Sequence, residues 1–238
     1  MFPISDENPS RSFPFVTILL IVMNLVVFGY QFTRPAIDLE LFINEYALFP
    51  VEIIYFRNLP QSQLFHPLFS LVTSIFLHGS LAHLLGNLWF LWIFGDNIED
   101  IFGHFSYLFF YLLTGIIAGV CHVYLNPDST TPTLGASGSI SGVLGAYMIL
   151  FPKIRIKTVI IWVVFFQVVY IPAIFFLGVW FLFQSLGGLA TLSDVGGGVA
   201  FGAHLGGFLS GLVLCFLFTR KRTEPKRFRY EPWRESRF

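Results

Sequence analysis

Four polar residues stand in stretches that offer them almost no polar company: His83, Asn87, Ser137 and His204. A serine hydroxyl becomes a nucleophile once a positioned base removes its proton, and imidazole is the side chain best matched to that task near neutral pH. An imidazole and a carboxamide are also N–H donors, of the kind that hold a developing oxyanion. His83 and Asn87 are four residues apart, so a helix places them on one face. No Asp or Glu lies within the helix cores, so Ser137 and His204 would act as a dyad whose imidazole is oriented by packing. Metal binding is the competing chemistry, since His78, His83, His104, His122 and His204 supply ligands. There is no HExxH, however, and His78 and His83, five apart, splay by about 140° on a helix. Neither a metal site nor a cofactor is expected.

The elements that must hold these residues are membrane helices. The 238-residue chain is 55% hydrophobic and 12% charged with 30 Phe, and its mean hydropathy is +0.72. That is too little charge to cover a soluble domain. Cys121 and Cys215 both lie in apolar runs, which argues against a disulfide framework. Spans of roughly 20 apolar residues are expected near 14–32, 76–95, 104–125, 137–151, 171–187 and 199–219, within a membrane domain at 14–219. A short N-terminal segment at 1–13 precedes it, and a basic tail at 220–238 follows. The apolar run 158–184 is too long for one helix and carries Pro172; residues 158–170 are expected to be interfacial or re-entrant, a seventh crossing being the alternative. The fold class expected is therefore an all-α polytopic bundle of six helices with a long outer first loop.

Lys153, Arg155 and Lys157 cluster between spans, and eight of the 14 basic residues lie from Arg220 to Arg237. By the positive-inside rule both flanks are cytoplasmic, which puts both termini inside. The basic tail reads as an orientation signal beside the lipid bilayer, and no nucleic-acid partner is expected. Ser137 and His204 each precede their cytoplasmic flank (Lys153, Arg220) by 16 residues. At about 1.5 Å per residue both sit ~24 Å above that interface, at matching heights.

Small residues recur on the same two spans. Ser137, Ser141 and Gly145, with Gly138 and Gly142 beside them, face a counterpart stripe of Gly202, Gly206 and Ser210 and of Ala203, Gly207 and Gly211. Such stripes let helix backbones approach closely, and close approach is also how a serine and a histidine would meet.

Taken in order, HGSLAHLLGN, GASG at the start of a later span and AHLGGFLSG in the last resemble the rhomboid family of intramembrane serine proteases, in its basic six-span bacterial form. The similarity runs from about Asn44 to Thr219 and includes GDNIED followed by Gly103. The resemblance implies a serine endopeptidase that cleaves transmembrane segments of other membrane proteins. Ser137 would be the nucleophile and His204 the general base. His83 and Asn87 would be oxyanion donors, and Gly207 and Gly211 close-contact positions against the helix of Gly138 and Gly142. Glu99 and Gly103 would be structural, and the chain would reside in a bacterial inner membrane. Two positions depart from the family pattern. Ser141 stands where some rhomboids carry a Tyr that stacks on the histidine, which leaves Phe201 or Phe208 to orient it, and Tyr55-Phe56-Arg57 stands where many show a Trp-Arg pair. The alternatives are a catalytically inactive rhomboid-like protein that binds membrane clients, and a channel or transporter, which would need polar lining through the full depth.

Overall fold

The computed structural model describes residues 1–56, 65–162, 165–191 and 201–219. The basic tail from Arg220, read above as an orientation signal, lies outside them. A first strand, β1 (Phe2–Asp6), leads into α1 (Phe15–Phe32), and α2 (Ala36–Tyr46), α3 (Pro50–Tyr55) and α4 (Phe65–Thr73) form the connection to α5 (Leu81–Phe102). Helices α6 (His104–Leu125) and α7 (Ser137–Leu150) follow, then strands β2 (Arg155–Trp162) and β3 (Phe165–Pro172), and finally α8 (Ala173–Thr191) and α9 (Phe201–Phe218).

Each long helix carries an exposed apolar face. On α5 it is Leu81, Leu85, Trp89 and Trp92; on α9 it is Leu205, Leu209, Val213 and Phe216. In water such faces would be a severe aggregation hazard, and lipid is the solvent that suits them. Polar groups point inward instead. On α1, Thr17, Asn24 and Gln31 recur at heptad spacing and all three are buried. Helices α1, α6 and α9 are long and apolar enough to cross a bilayer, α5 forms a broken fourth unit bent by 80° from the helical stretch Pro67–Phe76, and α7 and the first part of α8 are shorter apolar helices. The chain is thus a helical membrane bundle.

Residues 158–170 do not form a helix. Apart from 163–164, outside the described residues, they belong to the β2–β3 hairpin, whose register runs from Arg155↔Pro172 to Trp162↔Phe165. The run of β-branched and aromatic residues suits a pleated surface better than a helical one. β1 adds to the other edge of β2, antiparallel, with Phe2 opposite Val159 and Asp6 opposite Ile156. This three-stranded sheet joins the helical bundle and was not anticipated from the sequence.

Helix α5 runs to Phe102, beyond the expected end at 95, so Asp96, Asn97, Glu99 and Asp100 belong to it. Burial of Glu99 is compensated by α1. Its carboxylate accepts from Val16 N and Thr17 N, each at 2.8 Å, and from Thr17 Oγ1 at 2.7 Å. Those amides are orphan donors of a helix start, so Glu99 caps α1 from a neighbouring helix. His104 Nδ1 lies 2.6 Å from the same carboxylate. Gly103, at φ 78°, then ends α5 and lets α6 begin at once.

Candidate active site

Helix α7 begins at Ser137. From Gly138 to Tyr147 every residue of α7 is buried, whereas Ser137 is partly exposed. Of the three serine hydroxyls on this helix only that of Ser137 can therefore meet a substrate. Ser139 is 1% exposed, and its Oγ is packed against Gly115 of α6. Ser141 is equally buried, and its Oγ donates to the Ser137 carbonyl at 2.7 Å.

Helix α9 lies directly against α7. A Cβ on Gly207 would collide with the Gly138 carbonyl, and one on Gly211 with the Gly142 carbonyl. Any side chain at these positions would force the helices apart, so glycine sets their separation. The seam continues upward, where a Cβ on Gly138 would fall 3.9 Å from the Ala203 Cβ. Ser137 immediately precedes Gly138 and His204 immediately follows Ala203, so the fold brings both to one end of this seam. No hydrogen bond joins the Ser137 hydroxyl to His204 among the described residues; the fold sets the neighbourhood, and catalytic contacts commonly tighten only with substrate in place.

The donor pair is built at the break before α5. Ser80 caps the helix, its Oγ accepting from His83 N at 3.1 Å. This fixes His83 in the first turn and Asn87 one turn below. Gly135, two residues before Ser137, sits on that face. Its φ is +127°, and a Cβ there would approach the His83 ring to 2.7 Å and Asn87 Nδ2 to 3.7 Å. Glycine is required on both counts. The loop carrying Gly135 is pinned by its amide to Ser74 O at 2.9 Å and by a two-bond bridge between Leu48 and Thr133. His83, Asn87 and the amide end of α7 thus converge on one place.

Three residues central to this arrangement escaped the sequence reading. His78, weighed there only as a metal ligand splayed from His83, lies 3.0 Å through Nε2 from Asn87 Nδ2. An amide has two N–H donors, so this bond engages one and directs the other. Gln31 of α1 holds His78 in turn, accepting from its N at 3.1 Å and donating to its O at 3.2 Å. Gln184 of α8 places Oε1 2.9 Å from His204 Nδ1. The histidine is thus not oriented by packing alone, as had been expected. Of the two rings expected beside it, Phe201 meets His204 edge-on at 6.3 Å. Phe208 instead stacks on Phe181 at 4.3 Å, and Trp180 takes the place beside the imidazole at 6.4 Å. None of the three has a local signal in sequence, because each acts across a helix interface.

Fold and site together define a polytopic membrane protein with a hydroxyl, an imidazole and polar donors gathered at one end of its bundle. Comparison with known proteins gives the family. The Rhomboid domain family matches residues 66–221, and the chain belongs to the rhomboid family. It is 34% identical over 99 residues to presenilin-associated rhomboid-like protein A, mitochondrial, of Danio rerio, covering 41% of this chain and 26% of that protein. It is 38% identical over 78 residues to rhomboid protease GluP of Bacillus subtilis, covering 33% and 15%. Rhomboid-like protein 11, chloroplastic, of Arabidopsis thaliana matches at 29% over 157 residues, covering 64% and 53%. The chain thus spans barely half, or less, of the length of each of these relatives.

Proposed function

We propose that the chain is an intramembrane serine endopeptidase that cleaves transmembrane segments of other membrane proteins. The observation that carries this reading is the partly exposed Ser137 at the first turn of α7, beside the helix of His204 and two residues after Gly135, which packs on His83 and Asn87. His204 Nε2 accepts the Ser137 proton as Oγ attacks the scissile carbonyl carbon. The oxyanion is held by His83, by the free N–H of Asn87 and by the Ser137 amide, an unpaired donor of a helix start. His204 returns the proton to the departing amine, and water then hydrolyses the acyl-serine.

The α7 helix of 14 residues spans only about 21 Å, so water from one side of a ~30 Å core can reach the serine. A substrate helix must unwind to offer an extended peptide, so helix-weak segments are preferred. We take the six apolar helical units as six spans in a bacterial inner membrane, with Lys153, Arg155 and Lys157 on the cytoplasmic side. Retention of both Ser137 and His204 favours an active enzyme over an inactive client-binding relative. Co-expression with single-span reporters tests the proposal. Cleavage by the wild type is expected, with loss in Ser137→Ala and in His204→Ala; cleavage that survives Ser137→Ala excludes the serine mechanism.

A further inference from the structure

Resting on that reading of Ser137 and His204, we infer that Gln184 of α8 is a positioning residue that fixes the tautomer and orientation of the general base. His204 is 7% exposed, and the bond of its Nδ1 to Gln184 Oε1, at 2.9 Å, is the one hydrogen bond to this imidazole among the described residues. Trp180 and Phe201 bound the ring at 6.4 and 6.3 Å but offer it no directional partner. Aromatic neighbours restrict a ring's tilt; they do not select which nitrogen carries the proton.

A carbonyl acceptor facing Nδ1 does select it. In neutral imidazole one nitrogen donates and the other accepts. With Nδ1–H donating to Oε1, the lone pair resides on Nε2, as a base toward Ser137 requires. The same amide oxygen faces the imidazolium once the serine proton has been taken, and stabilises its charge. A carboxylate in this role would bring a second charge to membrane depth, where an isolated ion is expensive. A neutral amide supplies direction without that cost. The acceptor comes from a separate helix, held against α9 by the Phe181–Phe208 stack at 4.3 Å.

The decisive comparison uses two substitutions of similar length. Gln184→Met keeps the apolar stem and removes the acceptor; Gln184→Glu keeps the acceptor. A packing role for this side chain predicts that Met is harmless and Glu harmful. The positioning role predicts the reverse. Cleavage of a purified transmembrane reporter in detergent should show kcat reduced about ten- to a hundredfold in Gln184→Met, with KM within about twofold of wild type. The folded Gln184→Glu protein should retain kcat within severalfold. Wild-type kcat in Gln184→Met overturns the inference alone and leaves the Ser137 reading intact. If the Glu variant does not accumulate, the Met variant decides by its kcat and KM. Wild-type cleavage that does not depend on Ser137 overturns both readings together.

Discussion

The bundle buries two polar clusters, one at each end of α5, and they are built on opposite terms. At the C-terminal end the carboxylate of Glu99 accepts from two amides, a hydroxyl and lies against His104. Nearby, Asp6 receives bonds from Tyr147 Oη and from Asn97 Nδ2. At the N-terminal end the positions are held through Ser80, Gln31 and His78, yet hydrogen-bonding valences are left open. Neither the Ser137 hydroxyl nor the His83 ring makes a side-chain hydrogen bond among the described residues, and Asn87 engages only one of its two N–H groups. A polar cluster whose carboxylates are saturated by donors from its own fold serves stability. One that is rigidly placed but incompletely paired, and reachable by solvent, is equipped to receive a substrate.

That contrast can be broken by substitution. The largest effect is expected for His204→Ala, which should lower reporter cleavage about a thousandfold or more with little change in thermal stability. Glu99→Ala should do the converse. Orphaning the buried amides of Val16 and Thr17 should cost about 3–5 kcal/mol, read as a fall in midpoint on unfolding in mixed micelles, while the protein that remains folded cleaves normally. Gly211→Ala drives a methyl against the Gly142 backbone and should cost about 3 kcal/mol by the same assay, at the upper end for overpacking. Asn87→Ala should reduce kcat about a hundredfold and leave KM nearly unchanged.

The smallest effect concerns Asp6. Burial pushes its carboxyl up to about 6, against the Tyr147 hydrogen bond, which lowers it. Because the folded state holds the proton more tightly than the unfolded one, docking of β1 is strongest below pH 4 and weakens as pH rises through about 6. The protection factors of the amides within 2–6, exchange rates divided into the intrinsic rate at each pH, should fall across that window, and Asp6→Asn should remove that fall.

Much of the candidate site was legible because polar side chains are rare at membrane depth. Ser137 and His204 could be paired from their equal distances to basic flanks, and the Ala203, Gly207 and Gly211 stripe from its four-residue spacing, whereas Gly202 and Gly206, expected against α7 as well, meet His122 and Cys121 of α6. Gln31, His78 and Gln184 were not legible, since each is defined by a partner on another helix, and a lone glutamine in an apolar run gives no hint of which. The charges at Asp96 and Glu99 looked like the end of a span. They lie inside α5 because α1 presents its unpaired amides there, a fact of packing. The hairpin at 155–172 was missed because an unbroken apolar run has no periodicity to tell strand from helix.

The claim that accessibility and open valence single out one serine hydroxyl of three is tested most directly by covalent labelling. Fluorophosphonate should modify the purified protein in its bilayer, with the adduct mapped by peptide mass. The account predicts a single adduct on Ser137, none on Ser139 or Ser141, and no adduct in His204→Ala. An adduct on Ser139 or Ser141, or undiminished labelling of Ser137 in His204→Ala, would contradict it.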